Sequence, residues 1–188
     1  MRPVDRIVET LETVSLMPGT GVYLDADNAG FPHNEAEPYP DTVDFINRED
    51  PAFLIIVTAN ANLALAKQRE KQLGADFVVM PTHNRWLKKR LYEQAAEKAS
   101  ELTAHEQSIV IDDRWFAGLL AAKRGIFRVL KTKPDGILVN RQGAVQTAID
   151  RRILEPIERR ARIGACALGI DVLIRPRKAD ALQEAPVV

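Results

Sequence analysis

The sequence holds a single cysteine, Cys166, and three histidines with no metal-ligand spacing. A lone thiol can form no intrachain disulfide and no thiolate metal cluster, and it suits a reducing cytosol. No apolar run approaches the roughly 20 residues that span a bilayer, so no transmembrane segment is expected. Net charge is missing as well, since Lys+Arg and Asp+Glu both total 26. Bulk electrostatics therefore give no drive toward wholesale nucleic-acid or membrane binding, and only local patches remain. Residues 1–19, MRPVDRIVETLETVSLMPG, are charged and amphipathic and lack the apolar centre of a signal peptide. A cytoplasmic protein is expected.

What is present is an alternation of short apolar runs with longer helical patterns, in a chain of 188 residues that is 46% hydrophobic. Gly21–Leu24, Phe53–Val57, Phe77–Met80, Ile109–Ile111 and Ile126–Leu130 read as strands, and their continuous apolar character suits burial on both faces. Asp41–Asn47, Asn62–Leu73, Arg85–Ser100 and Trp115–Arg124 read as helices, with Gly74 and Gly125 placed as helix C-terminal turns. Ile137–Val139 and Val172–Ile174 are expected as edge strands. Repeated strand–helix units imply right-handed crossovers and an α/β fold, a three-layer α/β/α sandwich around a mainly parallel sheet. One domain is expected over residues 1–178, with its core at about 20–140 and a flexible tail at 179–188. In such sheets the active crevice lies beyond the carboxyl ends of the strands.

Three strand ends carry chemistry. Val22-Tyr23-Leu24-Asp25-Ala26-Asp27 sends two carboxylates off an apolar strand. A carboxylate there can attack phosphorus and form an acyl phosphate, and a second acid can protonate the leaving oxygen and then activate water. An isolated Asp-x-Asp is more often a loop pair that caps a turn. Ile109-Val110-Ile111-Asp112-Asp113 ends the same way. Asp25 and Asp113 at neighbouring strand ends would give a Mg²⁺ ion the hard oxygens it prefers. The bland reading of Asp112-Asp113-Arg114 is a helix cap. Phe53–Val57 runs into Thr58 and Asn60, whose hydroxyl and amide could bind phosphate oxygens or cap the next helix.

Acid pair, hydroxyl, acid pair, each after an apolar strand and before a helix, resembles the haloacid dehalogenase (HAD) superfamily of phosphatases over roughly Val22 to Leu130. Asp25-Ala26-Asp27 looks like its first motif, Thr58 its second and Asp112-Asp113 the paired-acid form of its fourth. The resemblance implies a Rossmann-like fold, Mg²⁺ and hydrolysis of a phosphate monoester through an aspartyl phosphate. Carried over, Asp25 is the nucleophile and Asp27 the acid/base. Thr58 and Asn60 bind phosphate, and the metal set is Asp25, Asp27 and Asp113 with Asp112 assisting. The third-motif lysine matches Lys88 best, ahead of Lys89 and Lys67; the bland reading of Lys88 and Lys89 is a solvated helix face.

A narrower likeness is to the bacterial and mitochondrial phosphatidylglycerophosphate phosphatase family. It rests on the missing room for a large cap between Gly30 and Phe53 and on Asp150-Arg151-Arg152-Ile153-Leu154-Glu155-Pro156-Ile157-Glu158-Arg159-Arg160. It implies a lipid-borne phosphate and an Arg151–Arg162 helix suited to peripheral membrane or protein contact. This chain departs from that family at Ala29-Gly30, at Met80-Pro81 in place of Lys-Pro, and at Asp112-Asp113. Ile111-Asp112-Asp113-Arg114 and Arg85–Lys88 also resemble the phosphatase module of phage-type polynucleotide kinase-phosphatases, which implies a nucleic-acid 3′-phosphate. The expected partner is thus a phosphorylated small molecule, lipid headgroup or nucleic-acid end. The competing class is a HAD-fold binding module with impaired catalysis. His33, His83 and His105 read as loop or surface residues, and Trp86, Trp115 and Phe116 as core aromatics.

Overall fold

A computed structural model of the chain describes residues 6–81, 88–102 and 107–141. The Arg151–Arg162 segment, the Val172–Ile174 strand, the tail, Trp86, His83 and His105 lie outside the described residues.

The apolar runs become strands β1 (Arg6–Val8), β2 (Gly21–Asp25), β3 (Leu54–Val57), β4 (Phe77–Val79), β5 (Ser108–Asp112) and β6 (Asp135–Val139). They form one six-stranded sheet in the order β1-β6-β5-β2-β3-β4, with every pair parallel. Helices α1 (Pro40–Glu49), α2 (Leu63–Leu73), α3 (Lys88–Leu102) and α4 (Ala121–Leu130) flank it, and a π-helical turn, Trp115–Leu120, leads into α4. This is the expected Rossmann-like three-layer sandwich. Among the described residues no helix is long and apolar enough to cross a membrane.

Alternation along the strands divides the core in two. Tyr23, Ile55, Val57, Val110 and Leu138 pack with Leu91, Tyr92 and Ala95 of α3 and Ala122 and Ile126 of α4. Val22, Leu24, Leu54, Ile56, Ile109 and Ile111 pack with Phe45 of α1 and Leu73 of α2 on the opposite face. The helix ends follow local chemistry. Pro40 begins α1, where its missing N–H costs nothing. The Asn62 side chain caps α2 by accepting from the Leu65 N–H, and Gly74 closes the helix in the left-handed region at φ 61°.

Three expectations are corrected. Ile126–Leu130 is not a strand but the second half of α4. Ile126 is fully buried while Phe127 is 40% exposed, and Ala122 and Ile126 form one helical stripe. Gly125 is not a helix stop: a Cβ there would lie 2.6 Å from the Lys89 carbonyl oxygen, so its bareness lets α4 press on α3. Ile137–Val139 is not an edge strand, because β6 lies between β5 and β1. Among the described residues the edge on that side is β1, too short and too embedded in charged residues to show in the sequence. Arg141, just past β6, ties that end of the sheet to the opposite layer. Its Nη1 lies 2.8 and 2.9 Å from the Asp41 carboxylate oxygens, and its Nε donates to the Ala29 carbonyl at 2.9 Å.

Candidate functional site

The chain runs outward from β2 through β3 to β4, then returns to place β5 on the other side of β2. The β2–β5 junction is therefore the point where strand order reverses, where ligands of open α/β sheets bind. Leu24 is in register with Ile111, which sets Asp25 and Asp112 side by side at the carboxyl ends. Both share the parity of Tyr23 and Val110, so both aim at the α3 face. Asp112 is fully buried and Asp25 only 4% exposed.

A buried carboxylate pair needs a cation, and α3 supplies it. Lys88, at the start of α3, places Nζ 2.9 Å from Asp25 Oδ1 and 2.9 Å from Asp112 Oδ2. One turn later the Tyr92 hydroxyl donates to Asp112 Oδ2 at 3.0 Å, and the Arg114 N–H donates to Oδ1 at 3.0 Å. The π-helical turn closes over the same carboxylate: a Cβ on Gly118 would collide with Asp112 Oδ1. Only glycine permits that approach. Lys89 and Lys67 take no part, since Lys89 reaches Glu93 at 3.5 Å on the helix surface and Lys67 is exposed.

Asp113 is less committed. Asn28 Nδ2 donates to its Oδ2 at 3.4 Å, and Arg114 Nε lies 3.8 Å from Oδ1. Burial first, and the neighbouring Asp112 second, push Asp113 up to about 7, against the pull of Lys88. Burial likewise lifts Asp25 well above the carboxylate range, with Asp112 adding to it and Lys88 opposing. For Lys88 burial alone would act downward, but Asp112 and Asp25 outweigh it and hold the ammonium charged.

Oxygens of Asp25, Asp112 and Asp113 lie within 4.8 Å of one another. Three carboxylates gathered at a strand-end crevice are a hard donor set, which fits a divalent cation that takes oxygen ligands. The cluster could hold a metal ion.

Asp27 belongs to a second, adjoining network. Arg69 of α2, 1% exposed, places Nη2 2.8 Å from Asp27 Oδ1. The Asn34 N–H donates to the same oxygen at 3.2 Å, and His33 Nδ1 stands 3.7 Å away. Thr58 Oγ1 donates to Asp27 Oδ2 at 3.4 Å and accepts from the Asn60 N–H at 3.0 Å. Asn60 Nδ2 donates to Asn34 Oδ1 at 3.0 Å, and its own Oδ1 accepts from the Asn62 N–H. Burial opposes ionisation of Asp27, yet the Arg69 bond and charge win and hold its carboxyl below the usual range. Of the expected residues, then, Asp25, Lys88, Asp112 and Asp113 converge. Asp27, Thr58 and Asn60 form a neighbouring set whose carboxylate is already paired.

The loop between the two sets is a tight turn. Asn28 takes φ 64°, a conformation Asn tolerates, and its N–H bonds the Phe31 carbonyl at 2.7 Å. A Cβ on Gly30 would lie 2.7 Å from Leu24 Cδ2, so the Ala29-Gly30 departure from the narrower family has a packing reason here. Trp115 is 4% exposed, in keeping with a core aromatic. Sequence reasoning missed Tyr92, Gly118, Arg69 and the place of His33. Tyr92 alone left a signal, four residues after Lys88 on the same helix face. No protein-family model, curated protein or solved structure matches the chain.

Proposed function

We propose that the protein is a Mg²⁺-dependent phosphatase of the HAD type, which hydrolyses phosphate monoesters through an aspartyl phosphate on Asp25. The observation that carries this reading is Lys88, whose ammonium sits 2.9 Å from both Asp25 and Asp112 at the reversal point of the sheet. An ammonium between a nucleophilic carboxylate and its neighbour is placed to neutralise an incoming phosphate as a point charge. A divalent metal held by Asp25 and Asp113, with Asp112 beside them, would neutralise phosphate charge and orient the ester.

In the first half-reaction an Asp25 oxygen attacks phosphorus and the bond to the ester oxygen breaks. That oxygen leaves with the electron pair and takes a proton from water. In the second, water attacks phosphorus and passes its proton to Asp27. The bond to Asp25 breaks, inorganic phosphate departs, and the Asp25 carboxylate is restored. The Arg69 pair keeps Asp27 ionised, so it holds no proton to give in the first step and is only a weak base in the second. The first step therefore favours leaving groups that need little protonation, such as phenolates, over alkoxides.

Between Gly30 and Leu54 the chain holds only a short loop and α1, with no inserted lid. A crevice without a lid from that interval suits a phosphate presented on a lipid headgroup or a nucleic-acid end as well as on a small molecule. The proposal includes a cytoplasmic setting, with the Arg151–Arg162 segment as a membrane or protein contact.

The test is phosphate release with Mg²⁺ from p-nitrophenyl phosphate, nucleotides, 3′-phosphorylated oligonucleotides and phosphatidylglycerophosphate, alongside Asp25→Asn. Activity that falls by about 10³-fold or more in the variant is expected. Turnover retained by Asp25→Asn rules the mechanism out. A second reading, a binding module on the same fold, is favoured by the Asp27–Arg69 pair, which occupies the acid/base with a buried cation. Metal binding without release across the whole panel would select it.

A further inference from the structure

The strand-end acids are already engaged by a cation of the chain itself. Lys88 Nζ lies within 2.9 Å of Asp25 Oδ1 and of Asp112 Oδ2, among the same three acids whose oxygens gather within 4.8 Å. Its side chain is only 15% exposed, so water does little to screen it. Asp112 cannot readily release it. The carboxylate is fully buried, and besides Lys88 it accepts from the Tyr92 hydroxyl and the Arg114 N–H, with Gly118 closed against it. Among the described residues Asp25 carries no comparable set of donors. It is the acid Lys88 shares with any cation bound in the crevice.

We propose that Lys88 is a built-in competitor of the divalent cation: an internal counter-ion, anchored on Asp112, that occupies Asp25 and holds the affinity for bare metal down. This rests on the metal and phosphate reading of the same site. Two cations drawn to one carboxylate repel each other at close range and in poor solvent, where the repulsion is strong. A dianionic phosphate would draw the ammonium off Asp25 and leave that oxygen to the metal. The site would thus fill with metal and phosphate together rather than with metal alone.

The experiment is a titration of the full-length protein with Mn²⁺ alone, followed by its electron paramagnetic resonance signal, on wild type, Lys88→Gln and Lys88→Arg. Lys88→Gln removes the charge and keeps an amide donor one bond short of the Nζ position, and its fold is checked by circular dichroism. Mn²⁺ is expected to bind Lys88→Gln at least tenfold more tightly than wild type, and Lys88→Arg within about threefold of wild type. Unchanged or weaker binding in Lys88→Gln overturns the proposal. So does equal tightening in Lys88→Arg. Should Lys88→Gln unfold without metal, Mn²⁺-driven refolding in the same titration is the supporting result, and no refolding at saturating Mn²⁺ overturns it. No substrate enters the readout. A protein that hydrolyses nothing yet tightens on Lys88→Gln keeps this inference and loses the phosphatase. An active phosphatase with unchanged Mn²⁺ affinity does the reverse.

Discussion

At the scale of single residues, two side chains make opposite predictions. Tyr23 is fully buried in the α3-facing core, and its hydroxyl finds no hydrogen-bond partner among the described residues. Burial also pushes that phenol well above its ordinary range. Its ring already meets Phe53 edge-on at 5.1 Å between centroids, a contact that phenylalanine would keep. Tyr23→Phe is therefore expected to raise stability by about 1 kcal/mol, read as a higher urea midpoint with unchanged slope. Glu49 is the reverse case. The Leu16 N–H, at 2.6 Å, holds its carboxyl below the usual range, against burial and with help from Arg48. A depressed folded pKa contributes stability above the unfolded value of about 4.3, and that contribution is lost as pH falls through the folded value. Urea midpoints at pH 7 and near pH 3 should differ more in wild type than in Glu49→Gln, which has no proton to take up. Equal pH responses would mean the Leu16 contact adds nothing.

At the scale of elements, legibility tracks sequence distance. Strands buried on both faces announce themselves as apolar runs, and the acids at their ends follow from where the runs stop. That is why Asp25 and Asp112–Asp113 can be read before any coordinates. Ile126–Leu130 reads as a strand because it is apolar enough for one and follows a glycine. Only the packed structure shows that Gly125 marks a helix–helix contact. Arg69 left no signal, because its partners Asp27, Pro32 and Glu35 all lie more than thirty residues away. The two glycines of close approach carry a prediction. Gly125→Ala would drive a methyl against the Lys89 carbonyl, a backbone atom that cannot step aside. A loss of about 1–3 kcal/mol is expected, with the Asp25–Asp112–Asp113 cluster intact. Gly118→Ala instead meets the Asp112 carboxylate and should disturb the grip on Lys88 as well. Mn²⁺ titration of the two variants separates them: affinity is expected to change in Gly118→Ala and to hold in Gly125→Ala.

At the scale of the whole molecule, the question is what keeps the two halves of the sheet and the site loop in one register. Parallel strands are joined only through long crossovers, so the β1–β6 half and the α1 layer meet late in sequence. Arg141 spans that gap. Besides its two bonds to Asp41 and one to Ala29, it donates to Thr42 Oγ1 at 3.0 Å and lies over the Tyr39 ring at 4.0 Å. Asp41 in turn accepts from the Leu11 N–H at 2.7 Å, which brings the β1–β2 connection into the same staple. The pair is mostly buried, with side chains 7% and 10% exposed. Removing one partner strands the other's charge away from water, so Arg141→Met is expected to cost about 3 kcal/mol. The double variant with Asp41→Asn should cost less than the sum of the two single changes, with a coupling of 1 kcal/mol or more on the order of a buried charged pair. Because Arg141 also holds the Ala29 carbonyl, next to the Asn28 that contacts Asp113, the single variant should weaken Mn²⁺ binding too. Additive stabilities and unchanged Mn²⁺ affinity would mean that Arg141 links neither the layers nor the site loop. Coupling in both measurements would make it the link through which the β1–β6 half of the sheet holds the site loop in place.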